Sequence, residues 1–190
     1  MKIICMGDSL TLGYGIKQED NWVQILNNTN IHEVINKGIN GDTTGGMLSR
    51  YYRDVIDLKP NYVLILGGMN DFIMGESMGA VKANIMSMVH QSYHYRIIPV
   101  LLTPIMGNYQ DIRADWKSIT DFEEVQDTLK EYQGWIRQFS KVFKVSCIDL
   151  QQELIVHQSK EKISDIFLDG LHPDPTGQKL IAKIIGKHFF

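Results

Sequence analysis

The sequence holds only two cysteines in 190 residues, Cys5 and Cys147, each inside an apolar run. That is too few for a disulfide scaffold or a thiolate metal cluster, and both read as buried small hydrophobes. Charge of one sign is scarce too: 19 Lys and Arg against 22 Asp and Glu leave a formal net charge of -3, with the cations scattered. Nothing therefore marks an electrostatic footprint for nucleic acid. No apolar run is long enough to span a bilayer, which argues against a stable membrane anchor. The opening MKIICMGDSL lacks a full apolar core and a small-residue cleavage site, so it does not read as a signal peptide, and the expected location is cytoplasmic. Repeats, low-complexity segments and linkers are also lacking. With 44% hydrophobic residues, the chain suits one domain over 1-190.

What is present is an alternation of short apolar runs with helical patterns, the mark of βαβ units. Strands are predicted over 2–6, 32–36, 62–66, 97–102 and 145–150. YVLILGG and RIIPVLLTP are nearly continuous apolar runs, as parallel strands buried on both faces require. Amphipathic helices are predicted over 20–26, 43–58, 78–93 and 120–139, the last opened by a Thr120–Glu123 capping box. A final helix follows Asp174-Pro175, an N-cap with proline at the first helical position. The stretch 106–119 shows neither period and reads as a long irregular loop, of a length that usually serves function. The pattern fits an α/β fold: a three-layer α/β/α sandwich on a five-stranded parallel sheet of flavodoxin-like order 2-1-3-4-5. In that order the first and third strands meet at the topological switch point, and ligands bind beyond their carboxyl ends. Gly7–Leu10 and Gly67–Asp71 are thereby expected side by side, whereas Cys5 and Cys147 fall on separated strands.

The first apolar strand stops at Gly7-Asp8-Ser9, which sets Ser9 on a tight turn where a hydroxyl nucleophile can be held rigidly. Asp8 is placed beside the cleft and can cap the turn, with no chemistry of its own. A serine nucleophile needs a base, and of six histidines His172 stands out. It precedes Pro173, which keeps it out of helix, and it lies three residues after Asp169 across a glycine, so the carboxylate can fold back onto the ring. His90 and His94 share a helical face but have no third ligand nearby, so no metal site is expected. Oxyanion donors are predicted from the backbone N–H of Ser9, from Gly41 after the second strand, and from the Asn70 amide after the third.

These four blocks together resemble the SGNH (GDSL) hydrolases over nearly the whole chain. GDSL at 7–10 is similar to the family's first block, NGDTT to the second through Gly41, GMND at 68–71 to the third through Asn70, and DGLHP at 169–173 to the last. The resemblance implies acyl-ester hydrolysis with no metal or organic cofactor, Ser9 as nucleophile, Asp169 and His172 completing the triad, and an oxyanion hole of Ser9, Gly41 and Asn70. A small or medium acyl ester is then the expected partner, cleaved as by the compact bacterial esterase, lysophospholipase and thioesterase members. A carbohydrate O-acetylesterase, an acyl thioesterase and, outside enzymes, a ligand-binding pseudoenzyme on the same fold remain alternatives. Asp8, Met47, Met69, Met74, Thr103, Pro104, Met106 and Trp116 fall near the catalytic blocks and are expected to line the substrate pocket, its methionines making a soft acyl wall, with the 106–119 loop as a flap. The patterns leave oligomeric state open.

Overall fold

The computed structural model of the protein describes residues 1–157 and 163–189. Strands β1 (Lys2–Gly7), β2 (Glu33–Gly38), β3 (Tyr62–Leu66), β4 (Ile98–Leu102) and β5 (Ser146–Ile148) form one all-parallel sheet in the order β2-β1-β3-β4-β5. The described helices are α1 (Ser9–Leu12), α2 (Trp22–Asn27), α3 (Thr44–Asp54), α4 (Met69–Ile73), α5 (Met78–His94), α6 (Ala114–Lys117), α7 (Phe122–Phe143), α8 (Leu150–His157) and α9 (Pro175–Phe189). None of the described helices is long and apolar enough to cross a membrane.

Strand periodicity sorts the core into two halves, because successive side chains point to opposite faces. Ile4 and Met6 of β1 pack with Met47, Tyr51, Ile85 and Leu129, from α3, α5 and α7. Ile3 and Cys5 pack on the other face with Trp22, Leu154 and Ile181, from α2, α8 and α9. Burying each such aliphatic side chain contributes about 1.5–3 kcal/mol. The sheet is thus covered on both sides, and chemistry is left to its edge of carboxyl ends. At that edge the register sets Gly7 of β1 against Gly38 of β2 and Leu66 of β3. Three loops therefore leave the sheet at one level.

The order and parallel sense of the strands agree with the sequence pattern, but some boundaries differ. Helix α7 is capped by Asp121, whose carboxylate accepts from the N–H groups of Glu123 at 2.9 Å and Glu124 at 3.5 Å. An aspartate one residue nearer the helix displaces the Thr120 capping box, since its charge also complements the helix dipole. Strand β5 ends at Ile148 because Asp149 caps a further helix, accepting from Gln152 N–H at 3.2 Å, so Leu150 opens α8 instead of closing a strand. The 106–119 stretch is partly ordered by a 3₁₀ turn at Tyr109–Asp111 and by α6.

Helix α1 lies so close to β2 that only glycine fits between them. A Cβ on Gly38 would stand 2.3 Å from the Leu12 nitrogen and 2.7 Å from the Asp8 carbonyl oxygen, both main-chain atoms that cannot swing aside. Gly38→Ala is expected to lower stability by about 3 kcal/mol, measured by urea unfolding. An unchanged midpoint would show that α1 floats on the sheet.

Candidate active site

Helix α1 is too short to hold itself, having one turn and few internal bonds. Its neighbours hold it. Asp8 caps it, Oδ1 accepting from Leu10 N–H at 2.9 Å, and Gly13 closes it in the left-handed conformation with its N–H on the Ser9 carbonyl at 2.9 Å. The buried Trp22 indole donates to the Leu10 carbonyl at 3.0 Å, and the side-chain amides of Asn21 and Asn36 both donate to the Thr11 carbonyl. Ser9, the first helical residue, is 8% exposed.

The other half of the pair comes from the far end of the chain. Phe167 and Pro173 bridge across a tight loop, and the Leu168 N–H donates to the His172 carbonyl at 2.8 Å. Gly170 has φ +81° and abuts the main chain at Asp111–Ile112, so a side chain there would meet Ile112 N at 2.7 Å. The loop brings His172 Nε2 to 2.9 Å from Ser9 Oγ. Asp169 Oδ1 accepts from the backbone N–H groups of Leu171 and His172 at 3.1 and 2.8 Å, while Oδ2 faces His172 Nδ1 at 3.0 Å. Burial works to raise the Asp169 pKa, but the hydrogen bonds and charge of His172 outweigh it and hold the carboxyl below its ordinary range. An ionised carboxylate on Nδ1 assigns the ring proton to that nitrogen and leaves the Nε2 lone pair facing Ser9. Two aromatic rings enclose the imidazole: Tyr14 at 4.4 Å between centroids and Trp116 edge-on at 5.3 Å.

Opposite His172 stand Gly41 and Asn70. Gly41 has φ +72°, and a Cβ there would meet nothing within 4 Å, so its backbone fronts open cleft. Asn70 sits in the first turn of α4, after Gly68 at φ +112°. One amide hydrogen of Asn70 is donated to the Asp42 carbonyl at 2.9 Å, which orients the group while leaving the second hydrogen uncommitted to that bond. Ser9, Gly41, Asn70 and His172 all line one cavity of about 180 Å³. Tyr14, Ile73, Met74, Trp116, Ile119 and Phe122 make most of its remaining wall.

That wall corrects the sequence-based expectation for most of the pocket residues. Met47, Met69 and Met106 are buried in the core, because their positions on α3, α4 and the loop after β4 face inward. Thr103 is fully buried, its hydroxyl donating to Asp149 at 3.0 Å, and the Pro104 carbonyl accepts from the Gln133 amide at 2.8 Å. Asp8 turns under the helix it caps and does not face the cleft; burial first, then the nearby Asp42 and Asp71 carboxylates, push its pKa up to about 7. Trp116 does line the cavity, as does Met74. Tyr14, Asn40, Ile73, Ile119, Phe122 and Leu171 were not expected there. For Tyr14 a signal existed: it stands between two glycines five residues after Ser9, too near to lie elsewhere. Among the described residues no three His, Cys, Asp or Glu side chains gather as a metal centre would require.

Residues 5–180 match the GDSL-like Lipase/Acylhydrolase family. An arylesterase of Vibrio mimicus is 26% identical over 196 residues, covering 98% of this chain and 86% of its own. An acetylxylan esterase of Geobacillus stearothermophilus is 25% identical over 162 residues, covering 79% and 68%. Among solved structures, a protein assigned to the lipolytic G-D-S-L family from Desulfitobacterium hafniense DCB-2 superposes with a TM-score of 0.81 at 26% identity, covering 98% of each chain. A form of the Geobacillus acetylxylan esterase Axe2 superposes with a TM-score of 0.79 at 20% identity, covering 98% of this chain and 92% of that one. Forms of Axe2 substituted at a serine, an aspartate and a histidine are described as catalytic mutants.

Proposed function

Because the chain belongs to the GDSL-like Lipase/Acylhydrolase family, we propose that it hydrolyses neutral esters of small or medium acyl groups through an acyl-enzyme on Ser9. The observation that carries this reading is the relay of Asp169, His172 and Ser9, with contacts of 3.0 and 2.9 Å. In the first step Ser9 Oγ attacks the ester carbonyl as Nε2 of His172 takes its proton. Asp169 steadies the imidazolium, and the oxyanion lies against the N–H groups of Ser9 and Gly41 and the free hydrogen of the Asn70 amide. His172 next gives the proton to the leaving alcohol. It then draws one from water as the water attacks the acyl-enzyme, and returns it to Ser9 Oγ as the bond to the acyl group breaks and the acid leaves. That relatives described as an arylesterase and an acetylxylan esterase match this chain favours an ester as the bond cleaved.

The cleft supports the acyl class. Among the described residues it is lined without Lys, Arg, Asp or Glu, and at about 180 Å³ it is smaller than a drug-sized ligand site of about 300–1,000 Å³. A short uncharged acyl group suits such walls, and Arg113, the cation beside Trp116, is already paired to Asp115. The whole chain is taken to act as one catalytic domain on a small-molecule ester, with no nucleic-acid partner.

The test is a panel of 4-nitrophenyl esters from acetate to decanoate, with acetylated sugars and acyl-CoA alongside. Turnover is expected on the short nitrophenyl esters. Folded protein that hydrolyses nothing on the panel would leave the ligand-binding reading instead. Trp116 adds a second test. It is held over the cleft by α6, with the Arg113 guanidinium 5.1 Å from its ring and that guanidinium paired to Asp115 at 2.7 Å. Trp116→Ala is expected to raise the octanoate-to-acetate ratio of kcat/KM by roughly tenfold. An unchanged ratio would remove Trp116 from the acyl site.

A further inference from the structure

Arg50 is a buried cation that takes no part in the chemistry above. It projects from α3 under the catalytic loops and is 9% exposed. Its Nε and Nη2 reach the Asp42 carboxylate at 2.8 and 2.7 Å, Nη1 reaches Asp54 at 3.0 Å, and Nη2 also donates to the Gly7 carbonyl at 3.1 Å. Each of these acceptors has a further connection. Gly7 ends β1, two residues before Ser9, and its carbonyl also takes the Ile39 N–H at 3.1 Å. Asp42 follows Gly41, and its own carbonyl is the acceptor that orients Asn70. One planar guanidinium thus spans the strand that delivers the nucleophile and the loop that carries Gly41 and the carbonyl on which the Asn70 amide is oriented.

Stability alone does not account for such a group. A buried ion pair often contributes no more than well-packed apolar residues of the same volume, because both charges must be desolvated. Asp54 has other partners in any case, with Lys37 at 3.6 Å and Arg53 at 3.0 Å. What an apolar residue could not supply is a rigid fork with several donors at set angles. Sub-ångström placement matters at this point, since an oxyanion donor works only at about 2.7–3.1 Å from where the charge develops.

We propose that Arg50 is a positioning residue for catalysis, fixing Gly41 and Asn70 relative to Ser9 through its bonds to Asp42 and Gly7. The inference rests on the oxyanion role given above to Gly41 and Asn70. Lysine cannot replace Arg50, for one ammonium can neutralise Asp42 but not reach the Gly7 carbonyl and both carboxylates in one plane.

The test is a double-mutant cycle on the best nitrophenyl ester, with Arg50→Met, Arg50→Lys, Asn70→Ala and the Arg50→Met/Asn70→Ala double variant. Asn70→Ala alone is expected to lower kcat by about 10²–10³-fold. Arg50→Met is expected to lower kcat roughly tenfold to thirtyfold with KM within about twofold, since it misplaces donors that act chiefly in the transition state. In the Asn70→Ala background the same change is expected to cost less than about threefold, because part of what it displaces is already gone. Arg50→Lys should recover most of the thermal stability lost in Arg50→Met while leaving kcat low. Equal factors in both backgrounds, or kcat restored by Arg50→Lys, would overturn the positioning role and leave an ordinary structural ion pair. An Asn70→Ala enzyme as fast as the parent would instead overturn the oxyanion reading itself, whatever Arg50 does. If Arg50→Met does not fold, Arg50→Met/Asp42→Asn removes both buried charges of the pair and is put through the same cycle.

Discussion

Ser9→Ala is expected to lower kcat for the best ester substrate by about 10⁵–10⁶-fold with almost no change in fold. The size follows from what the hydroxyl alone supplies. Without it no acyl-enzyme can form, and His172 is left to activate water in a cleft shaped for a different attack. The residual rate comes from the oxyanion donors and from substrate binding, both of which the variant keeps. Stability should hardly move. Among the described residues the Oγ makes one hydrogen bond, to His172 Nε2 at 2.9 Å, and the Asp169 contacts that set the imidazole remain in the variant. The α1 turn is likewise held through the Leu10 and Thr11 carbonyls, not through the Ser9 side chain. A fluorophosphonate should label the parent at Ser9 and leave Ser9→Ala unlabelled, read by mass spectrometry of the peptide. A variant with more than about one per cent of parental activity would move the nucleophile elsewhere, as loss of a serine nucleophile ordinarily removes far more than that.

Much of the constellation was visible in the sequence because backbone chemistry announces it. Glycine, aspartate and asparagine at the ends of apolar runs mark where strands stop, and the switch-point rule then sets two of those ends side by side. The Asp169–His172 spacing is likewise local: three residues with a glycine between them bring carboxylate to ring without help from the rest of the fold. The walls of the cleft were not visible, and the reason is angular. Met69 and Asn70 are neighbours in α4, yet Met69 is buried in the core and Asn70 lines the cavity. Adjacent helical positions differ by about 100°, so a small error in helix phase turns a pocket residue into a core residue. Met47 followed the same rule: it shares the buried stripe of α3 with Tyr51, and α3 packs down onto the sheet, not up to the cleft. Arg50 lies on that stripe too, where an apolar period leads one to expect no cation. Asp54 lies one turn along the same helix, but Gly7 and Asp42 are brought to Arg50 only by the fold. Helix α8 escaped for a simpler cause, since Leu150 ends an apolar run and begins a helix, and the cap that divides the two is the side chain of Asp149.

Asp169→Asn tests the reading at its least exposed point, and is expected to lower kcat by about 10⁴-fold near neutral pH. The change is isosteric, so the cause must be hydrogen-bond polarity. Two backbone N–H groups, of Leu171 and His172, point at Oδ1 at 3.1 and 2.8 Å and require an acceptor there. An asparagine must therefore keep its carbonyl on that side and turn its NH₂ toward His172 Nδ1. Nδ1 then has to accept, the ring proton moves to Nε2, and the nitrogen facing Ser9 Oγ becomes a donor that cannot take the serine proton. KM should change little, since Asp169 is absent from the cavity wall. Stability carries an independent sign. Because the folded pKa of Asp169 lies below its unfolded value of about 3.9, the ionised carboxylate stabilises the native state above that value, and the contribution is lost as pH falls through the lower, folded pKa. The Tm gap between parent and Asp169→Asn should therefore be largest near neutrality and close as the pH drops below about 4. A gap that stayed constant with pH would mean that the carboxylate gains nothing from His172. A variant within tenfold of parental kcat would mean that His172 does not depend on Asp169 for its tautomer.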